Sequence, residues 1–306
     1  MTKKVMVLMG GFSAEREVSL QSGAGIAEAL RRKGYEVTTH DLSDTRQLLA
    51  ELGRSKPDVV FNALHGNWGE DGEIQGLLDL LQIPYTHSGV KASCIGMDKA
   101  ATKMAAEACG IKTAKSEKMT AGFFLKNGTS IPFPYVVKPV CDGSSVGVYI
   151  VQNAEDIKNV RYEDLNREVL IEAYVEGQEL TSMCLEGKAY VVTELRPNLA
   201  FYDYKAKYTD GMTRHILPAE IPNEAAETCK RYTEELYRAL GCNTVARCDF
   251  RYNPTDGVVL LEINTNPGMT ALSLVPEQAK YAGISYPDLC EKLVKGAACR
   301  KLPNIR

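Results

Sequence analysis

The chain lacks any run near the roughly 20 apolar residues that a membrane span needs, so no transmembrane helix is expected. Its amino terminus, MTKKVMVLMGG, has two lysines and a short apolar run but no long apolar segment and no small-residue cleavage site. A first β-strand is therefore expected there, not a signal peptide. Cysteine pairing motifs are also missing. The nine cysteines are scattered, none as Cys-x-x-Cys, and their odd total fits free thiols in a reducing cytosol. No sign of charge dominates: 36 Lys+Arg against 39 Asp+Glu leave a net charge of -3, which gives no field favouring nucleic acid or an anionic membrane surface. There is no internal repeat and no low-complexity segment. The usual phosphate loops are absent as well. No G-x-x-x-x-G-K-[ST] occurs, and G-x-G appears only as Gly23-Ala24-Gly25 inside a helix pattern. Without a placed G-x-G-x-x-G, a nicotinamide-dependent oxidoreductase lacks its fingerprint.

What is present is an ordinary globular composition, 44% hydrophobic and 25% charged, in a chain of 306 residues, long enough for two or three domains. KVMVLM reads as a buried strand, followed by Gly10 and Gly11 and a helix from about Glu15 to Lys33 closed by Gly34. YEVTTHDL, PDVVFNAL and IPYTHSG read as three more strands, alternating with the helices TRQLLAELG and EIQGLLDLLQ. That alternation predicts a small doubly wound parallel sheet over residues 1–95, with ligands at the carboxyl ends of its strands, where GGFSAERE and LHGNWGEDG lie. A helix at 98–109 leads into a different pattern of strands and hairpins, divided here into 96–178 and 179–306, with a long polar loop at 201–222 carrying Tyr202, Tyr204 and Tyr208. The class is α/β, turning α+β in the carboxyl-terminal part.

The segment LLEINTNPGM (260–269) puts an acid, Glu262, and an amide, Asn264, two positions apart in an otherwise apolar strand. Strand side chains alternate, so these two share a face and Leu261 and Ile263 take the other. In the preceding strand, TVARCDFRY, the chain reaches Asn253, and Pro254-Thr255-Asp256-Gly257 makes a hairpin loop. Pairing Asn253 with Val258 sets Asp249 opposite Glu262 and Arg247 opposite Asn264; a loop one residue longer would turn Asp249 to the wrong face. Like charges directly opposite one another destabilise a sheet, and no cationic side chain is expected between these two. A hard cation between them resolves the conflict, because carboxylate and carboxamide oxygens suit Mg²⁺. The alternative is a pair of solvated carboxylates on an exposed sheet face. Mg²⁺ implies a phosphate-bearing ligand. Lys138 at a strand end, before Gly143, Ser144, Ser145 and Gly147, supplies a charge and a backbone that can fold over phosphates, although CDGSSVG alone reads equally as a mobile turn.

Taken together, KPVCDGSSVGV, LIEAYVEGQELT, ARCDF and LLEINTNPGMT resemble the ATP-grasp fold. With MGGFSAEREVSLQSG and FYDYKAKY added, the chain closely resembles the D-alanine–D-alanine ligase family nearly from end to end. The resemblance implies a two-lobed ATP-grasp fold after the parallel-sheet domain. It implies the ATP-dependent joining of two D-alanines through an acyl phosphate, for peptidoglycan, by a cytoplasmic homodimer that engages neither nucleic acid nor membrane.

Residue by residue, the resemblance implies that Asp249, Glu262 and Asn264 hold two Mg²⁺ (or Mn²⁺) ions and that Lys99 and Lys138 contact the ATP phosphates, with Ser144 and Ser145 in the covering loop. Read alone, Lys99 passes for a solvated surface lysine. Glu172, Tyr174 and Val175 match the adenine border and Glu179 the ribose carboxylate; Ala173 stands where some relatives have lysine, and Cys141 where others are polar. Arg247 and the Gly268 amide match the oxyanion site. Ser273, Leu274 and Lys207 match the second-substrate site, Lys207 also lying near the nucleotide. Ser273 alone would pass for a helix N-cap. Glu15, Ser144 and Tyr208 match a hydrogen-bonded trio joining three domains, with Glu15 also receiving the first substrate's ammonium. His65 matches a histidine near the second amine, and a structural histidine is the alternative.

Overall fold

A computed structural model describes residues 2–143, 146–197 and 213–302. Ser144, Ser145, Lys207, Tyr208 and most of the 201–222 loop lie outside the described residues.

The amino-terminal strands β1 (Lys4–Gly10), β2 (Glu36–Leu42) and β3 (Val59–Asn62) form a parallel sheet in the order β2-β1-β3. Alternation along β1 divides the core. Val5 and Val7 meet Ile26, Ala27 and Leu30 of α1 (Arg16–Arg32) on one side. Met6 and Leu8 meet Leu48 and Leu52 of α2 (Thr45–Ser55) and Ile74 and Leu78 of α3 (Glu73–Leu80) on the other. The sheet is thus covered on both faces, as its near-continuous apolar strands require. Gly23 explains the glycine pair inside α1: a Cβ there would lie 2.6 Å from the Met9 side chain, so the helix sits close on β1 only because that position is bare. The expected fourth strand, IPYTHSG, is reduced to an isolated parallel bridge between Val60 and Tyr85. Tyr85 also bridges Ala298, so this segment serves as a seam between sheet and carboxyl-terminal tail rather than as a strand.

After α4 (Val90–Met97) comes α5 (Lys99–Ala108), whose N-cap Asp98 accepts from the Ala101 amide at 2.8 Å. The middle of the chain builds an antiparallel sheet in the order β4-β7-β5-β6 from β4 (Ser116–Thr120), β5 (Tyr135–Pro139), β6 (Tyr149–Val151) and β7 (Glu168–Ala173), with α6 (Ala121–Asn127) against its outer face. As expected, β5 and β6 are an antiparallel pair flanking the Gly/Ser turn.

The third sheet runs β10-β9-β8-β11-β12, formed by β8 (Gln178–Leu185), β9 (Lys188–Pro197), β10 (Thr213–Ile216), β11 (Val245–Asn253) and β12 (Gly257–Asn264). Helix α7 (Asn223–Leu240) lays Ala225, Cys229, Leu236 and Leu240 on one face of it, beside Cys248, Phe250 and Leu260. Ala92 of α4 and Ala106 of α5 join that core. The tail helices α8 (Leu274–Tyr281) and α9 (Tyr286–Lys295) return to the first sheet, so one apolar cluster contains Val5, Phe61, Val275 and Leu293. The two ends of the chain are held together by this shared core. All nine cysteines are free thiols, and burial raises the Cys184 and Cys229 thiols to about 12, so those two stay protonated. No described helix is long and apolar enough to cross a membrane.

Candidate active site

The β11–β12 hairpin sets the site, and its register is as expected at the acids but not at the turn. Asp249 faces Glu262 and Arg247 faces Asn264, while Asn253 pairs with Gly257 and not with Val258. The loop is one residue shorter than expected, and a bulge between Asp249 and Phe250 restores the register by leaving Leu261 without a partner. Two departures cancel. The bulge also corrects the expected facing of Leu261, which lines the same cavity as Glu262 and Asn264.

The expectation that no cation lies beside these carboxylates is overturned. Arg247 grips Asp249 with two hydrogen bonds, Nε to Oδ1 at 2.9 Å and Nη2 to Oδ2 at 2.8 Å, and the Thr181 hydroxyl donates to Oδ1 at 2.6 Å. Lys99 Nζ lies 3.8 Å from Glu262 Oε2. The forked geometry of guanidinium on carboxylate explains why the opposed acids do not push the hairpin apart. Lys99 is only 8% exposed, so it is not a solvated surface lysine, and its ammonium also donates to the Asp142 carbonyl. Asn264 Oδ1 accepts from the Asn266 amide at 2.9 Å and Asn266 Nδ2 donates to the Leu64 carbonyl at 2.8 Å, tying the end of β12 to the amino-terminal domain.

Across the cavity, Lys138 at the end of β5 pairs with Glu172 of β7 at 2.6 Å, and Lys103 of α5 takes that carboxylate's other oxygen. All three are buried. Burial alone would push the Glu172 pKa up, but Lys138 and Lys103 outweigh it and hold the carboxyl below its usual range. Beyond Glu172, the amides of Ala173 and Tyr174 donate to the Lys115 and Pro134 carbonyls at 2.9 and 3.1 Å. Tyr174 and Val175 line the cavity, as does Glu179, which Arg251 meets at 3.1 Å.

From the amino-terminal domain, Glu15 and His65 reach the same cavity from the ends of β1 and β3. Glu15 is 9% exposed, and a Cβ on Gly66 or Gly143 would lie 3.2 or 3.1 Å from its Oε2. Bare backbone from two different loops therefore packs against this carboxylate. His65 Nδ1 lies 3.1 Å from Glu70 Oε1, and its buried Nε2 has no hydrogen-bond partner among the described residues. Burial by itself would lower the His65 pKa, but the Glu70 hydrogen bond and charge raise it on balance. At the far wall are Gly268, Ser273 and Leu274. Ser273 occupies the N-cap position of α8, but its hydroxyl meets the Thr270 amide and hydroxyl, each at 2.9 Å, and makes no cap to the helix.

Every sequence-expected site residue that is described thus lines one cavity. Among the partners that went unforeseen are Lys103, Glu70 and Thr181. The spacing of Lys99 and Lys103, four apart on one helix, puts both on one face and was a legible signal for the first. For the other two the signal was absent, since each partnership depends on how separate segments pack.

The whole chain is similar to known proteins. Residues 102–295 match the family model "D-ala D-ala ligase C-terminus", and residues 44–88 match "D-ala D-ala ligase N-terminus". A D-alanine–D-alanine ligase of Erythrobacter litoralis is 48% identical over 302 residues, covering 96% of this chain and 93% of that protein. Among solved structures, the Bacillus anthracis D-alanine–D-alanine ligase complexed with ATP superposes with a TM-score of 0.81 at 32% identity, covering 97% of both chains. The VanG D-Ala:D-Ser ligase of Enterococcus faecalis gives a TM-score of 0.78 at 27% identity, covering 96% of this chain and 99% of that one.

Proposed function

The chain belongs to the D-alanine–D-alanine ligase family, and on that premise we propose that it joins two D-alanines to D-alanyl-D-alanine at the expense of ATP, releasing ADP and phosphate, for peptidoglycan synthesis. The observation that carries this reading is the convergence of acids and cations from all three sheets on one cavity: Glu15, Lys138 with Glu172, and Arg247 with Asp249.

The reaction needs a carboxylate to attack the γ-phosphate and an amine to displace phosphate from the resulting D-alanyl phosphate. Glu15 receives the ammonium of the first D-alanine at the mouth of α1. Lys99 and Lys138 hold the phosphates under the turn containing Ser144 and Ser145, with adenine against Glu172, Tyr174 and Val175 and the ribose near Glu179. Arg247 and the Gly268 amide face the oxygen that becomes negative as the amine adds, and such fixed donors supply about 3–4 kcal/mol. Ser273, Leu274 and Lys207 seat the second D-alanine, His65 accepts a proton from its amine, and Tyr208 with Ser144 and Glu15 closes the site. Asp249, Glu262 and Asn264 supply hard oxygen donors from one sheet face, a set that fits two Mg²⁺ or Mn²⁺ ions. When bound, these ions neutralise charge on the phosphate oxygens. We further propose a cytoplasmic homodimer with the divisions 1–95, 96–178 and 179–306.

Incubation with ATP, Mg²⁺ and D-alanine should release one ADP per dipeptide. Release of ADP with L-alanine and not D-alanine would overturn the reading, and a product with D-serine in place of the second D-alanine would redirect it.

A further inference from the structure

Glu172 is the most enclosed acid in the cavity, and it is shared. Its side chain is 3% exposed, with Lys138 at 10% and Lys103 at 5%. The three come from β7, β5 and α5, so the cluster ties the middle sheet to a helix that packs on the third sheet. Lys103 is further fixed by donating to the Ala114 carbonyl. Two ammonium groups meet one carboxylate, which leaves one more positive charge than the acid can match.

We propose that Lys103 is a positioning residue for the nucleotide: it keeps Glu172 paired while Lys138 turns from that carboxylate to the phosphates. The proposal rests on the ATP-dependent reading above. A lone Lys138–Glu172 pair would be self-satisfied and would hold Lys138 back. Drawing Lys138 away from it would strand a desolvated carboxylate, whose cost exceeds that of removing both partners together. With Lys103 in place, Glu172 retains a cation whichever way Lys138 points. The excess positive charge in the free cluster is then what an anionic ligand meets. Burial lowers the Lys103 pKa, with Glu172 the main opposing acid and Glu107 a lesser one.

The test is ATP binding by calorimetry, without amino acid, to the full chain and its variants. Lys103→Met should weaken ATP binding by roughly a hundredfold, the scale of stranding a buried charge. In turnover, KM for ATP should rise while KM for D-alanine stays within about twofold, because only the nucleotide interaction is changed. The double variant Lys103→Met, Glu172→Gln should recover at least about tenfold of the lost affinity, since no buried carboxylate then competes for Lys138. Lys103→Met binding ATP like the unmutated protein overturns the proposal, as does a double variant no better than the single. A Lys103→Met chain that fails to fold also overturns it, because the remaining Lys138–Glu172 pair is balanced. Failure of the unmutated chain to bind ATP would instead refute the ATP-dependent reading.

Discussion

Two acids of the same cavity are held in opposite ways. Glu172 is enclosed between Lys103 and Lys138, its side chain 3% exposed. Asp249 and Glu262 stand on the hairpin with side chains 15% and 34% exposed, the first forked by Arg247 and the second near Lys99 at 3.8 Å. The difference lies in what replaces the partner when it leaves. Water reaches the hairpin acids, so they can exchange a cationic side chain for another cation at small cost to the fold. No water replaces a lysine at Glu172, so its pairing must be conserved within the protein. On the proposed reading, one region is re-ligated and the other keeps its charge balance while a neighbour moves.

The comparison breaks most visibly at Glu172. Glu172→Gln strands two enclosed ammonium groups and should cost about 3–5 kcal/mol of stability. Urea unfolding followed by circular dichroism measures this, and a loss below that of Asp249→Asn would contradict the contrast.

Asp249→Asn should remove only about 1–2 kcal/mol of stability, the forked bond to Arg247 being partly retained by the amide oxygen. Under the proposed metal role, turnover should nonetheless fall at least about a hundredfold, because a hard anionic donor to the phosphate-bound cation would be gone. Unchanged turnover with a large stability loss would make Asp249 a structural partner of Arg247 alone.

Glu15→Gln tests a third enclosure, an acid backed by bare glycine backbone. Shape is kept and charge removed, so the Michaelis constant of the first D-alanine should rise about tenfold, the scale of a charged hydrogen bond. Equal loss at both amino-acid sites would displace Glu15 from its proposed place.

These contrasts were unequally legible in the sequence. The alternation of β1 and the two-residue spacing of Glu262 and Asn264 are local, and periodicity exposes them directly. The register at Asp249 was expected from a turn that the chain does not form, and it stands because the bulge at Leu261 compensates; turn length and bulge are decided by sheet twist and packing, which residue types do not encode. The partner of Asp249 was misjudged for a simple reason: strand alternation puts Arg247 on the same face, where it can serve a substrate or a neighbour. Only packing says which it holds in the free chain. Lys103 carries the same lesson. In composition it resembles any helix-surface lysine, and its partner lies 69 positions away in the sequence.

The smallest effect concerns Glu70, which lies between the two extremes with its side chain 15% exposed beside His65 at 5%. Burial favours a neutral imidazole and Glu70 a charged one, and Glu70 prevails, so the folded pKa of His65 is raised. The sign follows. A base whose folded pKa lies above its unfolded value of about 6.5 stabilises the fold fully below that pH and loses the contribution as pH rises through the folded value. The His65 contribution should therefore fall as pH rises above about 6.5, with a slope no steeper than about 1.4 kcal/mol per pH unit for this one proton. Buried His87, lowered to about 3, contributes the opposite slope below about 6.5, so the His65 part is read as the difference between the unmutated protein and a Glu70 variant. Glu70→Gln removes the main opposition to burial and leaves only the charge of Glu15 against burial and Arg247, so the His65 pKa should drop and its slope should flatten or reverse. The same change should move the low-pH limb of turnover downward if His65 accepts the proton of the second amine, because only the neutral ring can do so. Urea midpoints and turnover at pH 6, 7 and 8 for both proteins give the comparison. Parallel slopes in the two proteins would show that Glu70 does not control the His65 proton, and an unmoved limb with flattened or reversed slopes would leave His65 a structural residue of the β3 loop.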